Sequence, residues 1–326
     1  MEQKNTNSSF DLLRRGNKFA RVSAAILAAS VVFTNTDKSL GVAVWHGQET
    51  EIKTLNAHEH ENINKTWIIL PGLGVQSGQA MASVLEPTLG NSGEVSYANY
   101  SDEGVKLEKL ASSIKTTYEQ NGKPISFYAH SMGGTVALKL LARLNNEVPI
   151  SDIVFDCSPY SINDAKDSAA TIVSAIAPYY GGGLMSKSFS EVRNNVFIHK
   201  NNRLSTLEQL KDAARIAITG SSPRLFTDQL KELGKFNAKN YASFIPATTR
   251  IYFISPENPE NDQTVNDETA YSNWNNLFGG KVIRVVVKGG GHANPTQRPT
   301  EYYKAMEPYF VSPYQEPLRA RAPMTQ

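Results

Sequence analysis

Short apolar runs alternate with longer amphipathic segments along much of the chain. A continuous apolar run of roughly four to eight residues is typical of a strand that is buried on both faces of a sheet. Such runs predict strands at residues 66–70, 125–129, 148–155, 250–254 and 281–288. Weaker patterns predict further short strands at residues 41–45, 51–55 and 95–97.

Helical spacing of apolar positions fills the segments between these runs. From residue 104 to residue 120, Val105, Leu110 and Ile114 are interleaved with Lys and Glu, which is the pattern of a helix with one buried face. Comparable segments predict helices at residues 80–85, 132–144, 270–278 and 299–310. Strands that alternate with helices predict an α/β fold, in which a mostly parallel twisted sheet is flanked by helices.

This alternation stops between residues 160 and 245. Helical patterns recur there without a strong strand, at residues 165–177, 204–218 and 225–233. We therefore interpret residues 160–245 as a helical cap inserted into the α/β core. The predicted core comprises residues 39–159 and 246–311, and residues 312–326 form a C-terminal tail.

The first 38 residues carry a different pattern. Basic residues, Arg14 and Arg15 among them, precede a short apolar run at residues 22–33. A membrane-spanning helix needs about 20 apolar residues, whereas a basic flank with a short apolar core is typical of a secretory signal. Residues 1–38 thus predict export, as a cleaved signal peptide or an N-terminal membrane anchor, with a buried helix as the alternative. An exported protein would be secreted, or anchored at the outer face of the cytoplasmic membrane through this segment.

Composition and charge narrow the classes of function. Of the 326 residues, 40% are hydrophobic and 20% are charged, as in ordinary globular proteins. The formal net charge is only +2, so the sequence predicts no nucleic-acid partner. The single cysteine, Cys157, rules out an intramolecular disulfide and any Cys–Cys metal spacing. We predict neither a metal nor an organic cofactor.

Ser131 occupies the most informative position, between the strand at 125–129 and the helix at 132–144. A sharp turn from strand to helix holds its middle residue in strained geometry above the sheet edge, and it needs small neighbours such as Ala129 and Gly133. The helix N-terminus behind Ser131 offers N–H groups to a developing anion. A Gly-x-Ser-x-Gly string alone arises by chance in about one such chain in ten, and an ordinary helix N-cap is the plainer interpretation. The position between strand and helix favours a nucleophile.

A nucleophilic serine needs a base and an acid that orients the base. His292 follows three glycines directly after the last strong strand, where it can reach the top edge of the sheet; an exposed loop histidine is the alternative. Asp262 follows the strand at 250–254, and the order Ser131, Asp262, His292 is the order expected on this kind of fold. The acid remains open among Asp262 and three rivals, which are Glu257, Glu260 and Asp156.

An anion-binding turn is predicted where the first buried strand ends. The sequence Gly72-Leu73-Gly74 follows this strand, and glycines allow backbone N–H groups to approach a substrate. The amides of Leu73 and Met132 are the natural pair of donors for an oxyanion. A plain β-turn is the alternative.

The turn Ala129-His130-Ser131-Met132-Gly133-Gly134 resembles the Gly-His-Ser-Met-Gly-Gly of many lipases and esterases of the α/β-hydrolase superfamily. The resemblance covers about residues 41–160 and 246–311. Ala129 replaces the commoner glycine, and Pro71 replaces a histidine often found at the start of the oxyanion loop. The family's nucleophile, acid and base carry over onto Ser131, Asp262 and His292. The resemblance implies the α/β-hydrolase fold and cleavage of a carboxylic ester through an acyl-serine intermediate.

The substrate is the least constrained prediction. Within the predicted cap, Tyr160, Tyr179 and Leu184 are candidates to line a pocket for a small-molecule acyl substrate; the alternative is that they pack the cap onto the core. Other activities also fit the sequence. An acyltransferase or thioesterase would use the same triad, and a cofactor-free peroxidase or lyase would use the same scaffold. A non-catalytic binding protein of this fold would leave the intact serine and histidine unexplained.

Overall fold

The computed structural model describes residues 49–55, 64–166, 222–234 and 236–311. Within them the chain forms a seven-stranded sheet of order β1-β3-β2-β4-β5-β6-β7. The strands are β1 Glu51–Thr54, β2 Thr66–Leu70, β3 Glu94–Asn99, β4 Ile125–His130, β5 Ile150–Asp156, β6 Arg250–Pro256 and β7 Ile283–Val287. Every neighbouring pair is parallel except β1 and β3, which pair antiparallel at one edge.

Helices cover both faces of this sheet. They are α1 Gln79–Leu89, α2 Leu107–Asn121, α3 Gly133–Leu144, α4 Pro223–Gly234, α5 Asp267–Leu277 and α6 Pro299–Phe310. Helices α2 to α5 contribute to the hydrophobic core on one face, which includes Leu110, Val136 and Trp274. Helices α1 and α6 form the core on the other face, where the ring centroids of Trp67 and Phe310 lie 5.4 Å apart. The predicted α/β fold with a flanked, mostly parallel sheet is confirmed.

Element ends differ from the sequence prediction where the backbone conformation is unusual. The helix predicted from residue 104 begins only at Leu107. Gly104 has φ of +148° and Lys106 has φ of +47°, and neither value is compatible with a right-handed helix. The weak strand predicted at residues 95–97 is longer, spanning Glu94–Asn99, and all but its first residue are buried.

Several predicted segments lie outside the described residues. They are the N-terminal segment 1–38, the strand at 41–45, most of the predicted cap and the tail 312–326. In the part of the chain that the structure describes, no helix is long and apolar enough to span a bilayer.

The described ends of the predicted cap are fastened to the α/β core. Ala165 forms an isolated β-bridge with Val265 of the core, and Ser161 forms one with Asn237, which joins the two described ends of the cap to each other. Helix α4, predicted at residues 225–233, packs Leu225 into the core beneath it.

Candidate active site

The turn between β4 and α3 places Ser131 in a strained conformation. Its φ of +51° lies in the left-handed region, which is uncommon for a residue other than glycine. The Ser131 amide donates a hydrogen bond of 2.8 Å to the carbonyl oxygen of Asp156 at the end of β5. Helix α3 begins two residues later, at Gly133. The conformation is therefore the sharp strand-to-helix turn that the sequence predicted.

Glycines behind Ser131 make this turn sterically feasible. A Cβ on Gly133 would stand 2.3 Å from the carbonyl oxygen of Leu70 in β2, and a Cβ on Gly134 would stand 2.8 Å from Ser158 Oγ. Both distances are far shorter than a carbon–oxygen contact allows. Helix α3 can start this close to the sheet only because both positions lack a side chain.

The structure brings Ser131, His292 and Asp262 together in one hydrogen-bonded series. Ser131 Oγ lies 2.8 Å from His292 Nε2, and His292 Nδ1 lies 2.8 Å from Asp262 Oδ2. Because a carboxylate only accepts, Nδ1 carries the imidazole proton and Nε2 is left to accept the hydroxyl proton of Ser131. This is the arrangement in which a histidine acts as general base toward a serine.

Asp262 is held as an acceptor within a tight loop. A 3-10 turn, Pro259–Asn261, follows β6 and brings the fully buried Asp262 back over the sheet edge. Its Oδ1 accepts the amides of Thr264 and Val265, each at 2.8 Å. Burial alone would raise the pKa of Asp262, but the charge and hydrogen bond of His292 together with these amides lower it. Asp262 is therefore ionised at neutral pH.

The contact with Asp262 shifts the pKa of His292 upward. Burial lowers the pKa of the imidazole. The charge and hydrogen bond of Asp262, together with the charges of Asp156 and Asp267, outweigh burial, so the pKa of His292 lies above its ordinary 6.5. A raised pKa makes the imidazole a stronger base toward the proton of a hydroxyl group.

The three rival acids lie in other surroundings. Glu257 and Glu260 are exposed, and Glu260 Oε2 lies 3.5 Å from Lys166 Nζ. Asp156 is buried and accepts hydroxyl hydrogen bonds from Tyr128 at 2.7 Å and from Tyr302 at 3.0 Å. Burial raises the pKa of Asp156 to about 7 although these hydroxyls lower it. Of the four candidates, Asp262 is the one that bonds to His292.

The two predicted oxyanion donors lie on the segments that flank Ser131. Leu73 follows Gly72, where an added Cβ would stand 2.6 Å from His130 Nδ1, so this loop packs directly against the nucleophile turn. Met132 is the N-cap residue of α3. Within the described ranges, neither the Leu73 nor the Met132 amide donates to a protein acceptor. Among the described residues, both N–H groups thus lack an acceptor, as the prediction of an oxyanion site requires.

Of the three predicted substrate-binding residues, only Tyr160 lies among the residues that the structure describes. The ring of Tyr160 packs edge-on against Trp274, with centroids 5.5 Å apart, and its backbone carbonyl accepts the Ala238 amide. The ring contact attaches the start of the predicted cap to the core, and the hydrogen bond joins it to a later part of the cap. Tyr179 and Leu184 lie outside the described residues.

One group of side chains in the described segments has the chemistry to hold a metal ion. Ligand atoms of Cys157, Asp262 and His292 lie within 4.8 Å of one another. Two of these residues, Asp262 and His292, already bond to each other through Oδ2 and Nδ1 at 2.8 Å.

Two contributors to this site escaped the sequence prediction. His130 contacts Ala293 across the sheet edge, and Gln229 of α4 contacts the loop that carries Leu73. Gln229 lies 155 residues from its partner Gly74, so no local pattern could have indicated the contact.

The sequence model of the alpha/beta hydrolase family matches residues 45–305. This match covers most of the chain, and the protein therefore belongs to the alpha/beta hydrolase family. Among curated proteins, none matches the chain.

Solved structures of the same fold are only distantly similar in sequence. MenH from S. aureus shares 14% identity with a TM-score of 0.57, over 79% of this chain and 96% of its own. A bromoperoxidase from Bacillus anthracis shares 15% identity with a TM-score of 0.57, over 79% and 98%. An esterase from Exiguobacterium antarcticum shares 14% identity with a TM-score of 0.58, over 81% and 96%. At such identities the likeness shows the common fold alone.

Proposed function

We propose that this protein is a serine hydrolase that cleaves carboxylic esters through an acyl-serine intermediate. The observation that carries the proposal is the series Ser131–His292–Asp262, with 2.8 Å at each step. The strained φ of Ser131 is a second support, because such strain in a non-glycine residue concentrates at functional sites. No cofactor takes part in this reaction scheme.

In the proposed reaction, Ser131 Oγ bonds to the acyl carbon while its proton passes to His292 Nε2. The carbonyl oxygen becomes an oxyanion, which accepts hydrogen bonds from the Leu73 and Met132 amides. Collapse of this intermediate breaks the bond to the alcohol, which leaves with the proton held by His292. Water, deprotonated by His292, then attacks the acyl carbon. The bond from this carbon to Ser131 Oγ breaks, the acid is released, and Ser131 regains its proton from His292.

Membership of the alpha/beta hydrolase family and the esterases among the similar structures support an ester as the substrate. A thioester, or an acceptor alcohol in place of water, would use the same Ser131 and His292. Product analysis separates these cases: hydrolysis releases free acid even when an alcohol is present, whereas acyl transfer yields a new ester.

Labelling with a fluorophosphonate probe tests the proposal directly. We expect the native protein to be labelled and to hydrolyse p-nitrophenyl esters, and Ser131→Ala to lose both properties. Ser83→Ala, at an exposed position of α1, serves as the control and should behave as the native protein. Labelling that persists in Ser131→Ala would overturn the proposal and indicate another nucleophile. A native protein that is never labelled would overturn it and favour a binding protein of this fold.

Residues 1–38 support a separate proposal, that the protein is exported and secreted or held at the outer face of the cytoplasmic membrane. Cell fractionation with N-terminal sequencing of the recovered protein tests it. A cleaved, released form would indicate a signal peptide, an uncleaved membrane-bound form an anchor, and recovery in the cytoplasm would contradict export.

A further inference from the structure

The side chain of Gln229 on α4 is fully buried, and both polar atoms of its amide group bond to one loop. Its Oε1 accepts the amide of Gly74 at 2.9 Å. Its Nε2 donates to the carbonyl oxygens of Gly72 and Val75, each at 3.3 Å. One side chain thereby fixes three backbone groups of the loop between β2 and α1.

These contacts constrain both peptide planes that flank Leu73. The Gly72 carbonyl and the Leu73 amide belong to one planar peptide unit, and the Leu73 carbonyl and the Gly74 amide belong to the next. The chain has no cis peptide bonds in its described residues. In a trans unit the N–H points opposite to the C=O, so a bond that holds the Gly72 carbonyl toward α4 turns the Leu73 N–H away from α4.

The loop needs an external constraint of this kind. Glycines flank Leu73 on both sides, and Gly74 adopts φ of +79°, a conformation that glycine enters and leaves at low cost. The turn bond from the Val75 amide to the Gly72 carbonyl measures 3.3 Å, and the Tyr100 hydroxyl reaches only the preceding Pro71 carbonyl. In the described part of the chain, Gln229 is the side chain that bonds on both sides of Leu73.

Helix α4, which carries Gln229, is held in place by buried side chains and by hydrogen bonds to neighbouring segments. Leu225 and Leu230 are buried beneath the helix. Asp228 Oδ2 accepts the Val105 amide at 2.9 Å, and Lys139 of α3 donates to the carbonyl oxygen of Glu232 at 3.0 Å. The same helix thus contacts the nucleophile helix α3 and the loop that carries Leu73.

We propose that Gln229 is a positioning residue that aims the Leu73 N–H at the substrate oxyanion. The inference rests on the proposed hydrolase function and names a further determinant of the same site. Gln229 contacts loop backbone rather than substrate, and it acts through Leu73. Because the oxyanion exists only after nucleophilic attack, loss of Gln229 should lower kcat and leave KM nearly unchanged.

Gln229→Leu and the isosteric Gln229→Glu test this assignment. Leucine removes all three bonds, whereas glutamate keeps an acceptor for Gly74 and loses the donors to Gly72 and Val75. We expect kcat to fall about 10²-fold in Gln229→Leu, with a parallel loss of affinity for a trifluoromethyl ketone that forms a tetrahedral adduct on Ser131. Affinity for the product acid, which carries no oxyanion of this kind, should change little.

Asp228→Ala is the matched control, because it removes a bond from the same helix to a different loop. If Gln229→Leu fails to fold, Gln229→Glu carries the same measurement. A folded Gln229 variant whose kcat and trifluoromethyl ketone affinity equal those of Asp228→Ala would overturn the positioning role while Ser131-dependent hydrolysis persists. A native protein without Ser131-dependent hydrolysis would instead overturn the proposed function, and the positioning role with it.

Discussion

His130 Nε2 lies 2.5 Å from the carbonyl oxygen of Ala293, and this contact joins the residue before Ser131 to the residue after His292. Burial lowers the pKa of His130 to about 4, so the ring is neutral at neutral pH and carries one N–H. Since a carbonyl only accepts, that proton is on Nε2. The bond therefore fixes the spacing of two segments that contribute the proposed nucleophile and base.

Replacing His130 by Phe keeps an aromatic ring beside Gly72 and removes the bond to Ala293. The loop of His292 should then be less well held against the nucleophile turn. We expect kcat/KM to fall roughly 2- to 10-fold, the net value of one such hydrogen bond. The steady-state kcat/KM and the rate of fluorophosphonate labelling should fall together. Unchanged rates in a folded variant would mean that the bond does not position His292.

Asp262→Asn should reduce kcat by about 10²–10⁴-fold, because an amide at this position stabilises neither the tautomer nor the cation of His292. Asp156→Asn is the control. Asp156 bonds to Tyr128 and Tyr302 rather than to His292, so its amide variant should stay within about tenfold of the native rate. If Asp262→Asn turned over at a native rate, Asp156, Glu257 and Glu260 would return as candidates for the acid.

The pH dependence of kcat/KM should report His292. A protonated imidazole cannot accept the Ser131 proton, so activity should be low in acid and rise as pH increases through the pKa of His292. That pKa lies above 6.5 because Asp262, with smaller contributions from Asp156 and Asp267, outweighs burial. In Asp262→Asn the larger raising contribution is lost, so the midpoint of the remaining activity should move to lower pH. An unchanged midpoint in this variant would mean that the pH dependence of kcat/KM does not report the titration of His292 beside Asp262.

Gly133→Ala should disrupt the nucleophile turn, because its Cβ would stand 2.3 Å from the carbonyl oxygen of Leu70. Either α3 or β2 must shift, which displaces Ser131 or Met132, and a shift of about 1 Å in an active site can cost 10²-fold in rate. Gly234→Ala is the matched control, since no atom of the described residues lies within 4 Å of its added Cβ. Activity and thermal unfolding of both variants would be measured. Native kinetics in Gly133→Ala would show that the turn tolerates a side chain there.

The nucleophile turn was predictable because its signals are local. An apolar run, a serine among small residues and a helical pattern follow one another between residues 125 and 144. The sequence favoured Asp262 as the acid but left three rivals open, because the choice depends on the 3-10 turn Pro259–Asn261 and on the two amides that hold Asp262. The roles of the individual residues remain predictions until the variants are measured.

Contacts between distant segments account for what the sequence could not indicate. Gln229 and Gly74 are 155 residues apart, and His130 and Ala293 are 163 apart. The neighbouring sequence gives no signal of either contact, neither for Gln229 on its helix nor for His130 beside the serine. The start of α2 was missed for a different reason, since the left-handed Lys106 gives no signal in a hydrophobic pattern.

A buried ionic cluster at the opposite end of the sheet should stabilise the fold without affecting the active site. Asp152, near the start of β5, is fully buried. Its Oδ2 lies 2.7 Å from Lys65 Nζ, and its Oδ1 lies 2.7 Å from Arg250 Nε. Burial raises the pKa of Asp152, but the charges and hydrogen bonds of Lys65 and Arg250 outweigh burial and lower it. The carboxylate is therefore the counter-charge of the buried Lys65.

Asp152→Ala would leave Lys65 buried and unpaired, so we expect the free energy of unfolding to fall by about 3–5 kcal/mol. The comparison is Glu147→Ala, which removes an equally short but exposed pair with Lys115 and should cost at most about 1 kcal/mol. Because the folded pKa of Asp152 lies below 3.8, its contribution is complete above that pH and is lost as pH falls through the folded pKa. Urea unfolding of both variants at neutral and acidic pH checks this. The value of kcat per folded molecule should be native in both variants. Equal losses of unfolding free energy in the two variants at neutral pH would mean that the cluster stabilises the fold no more than a surface ion pair does.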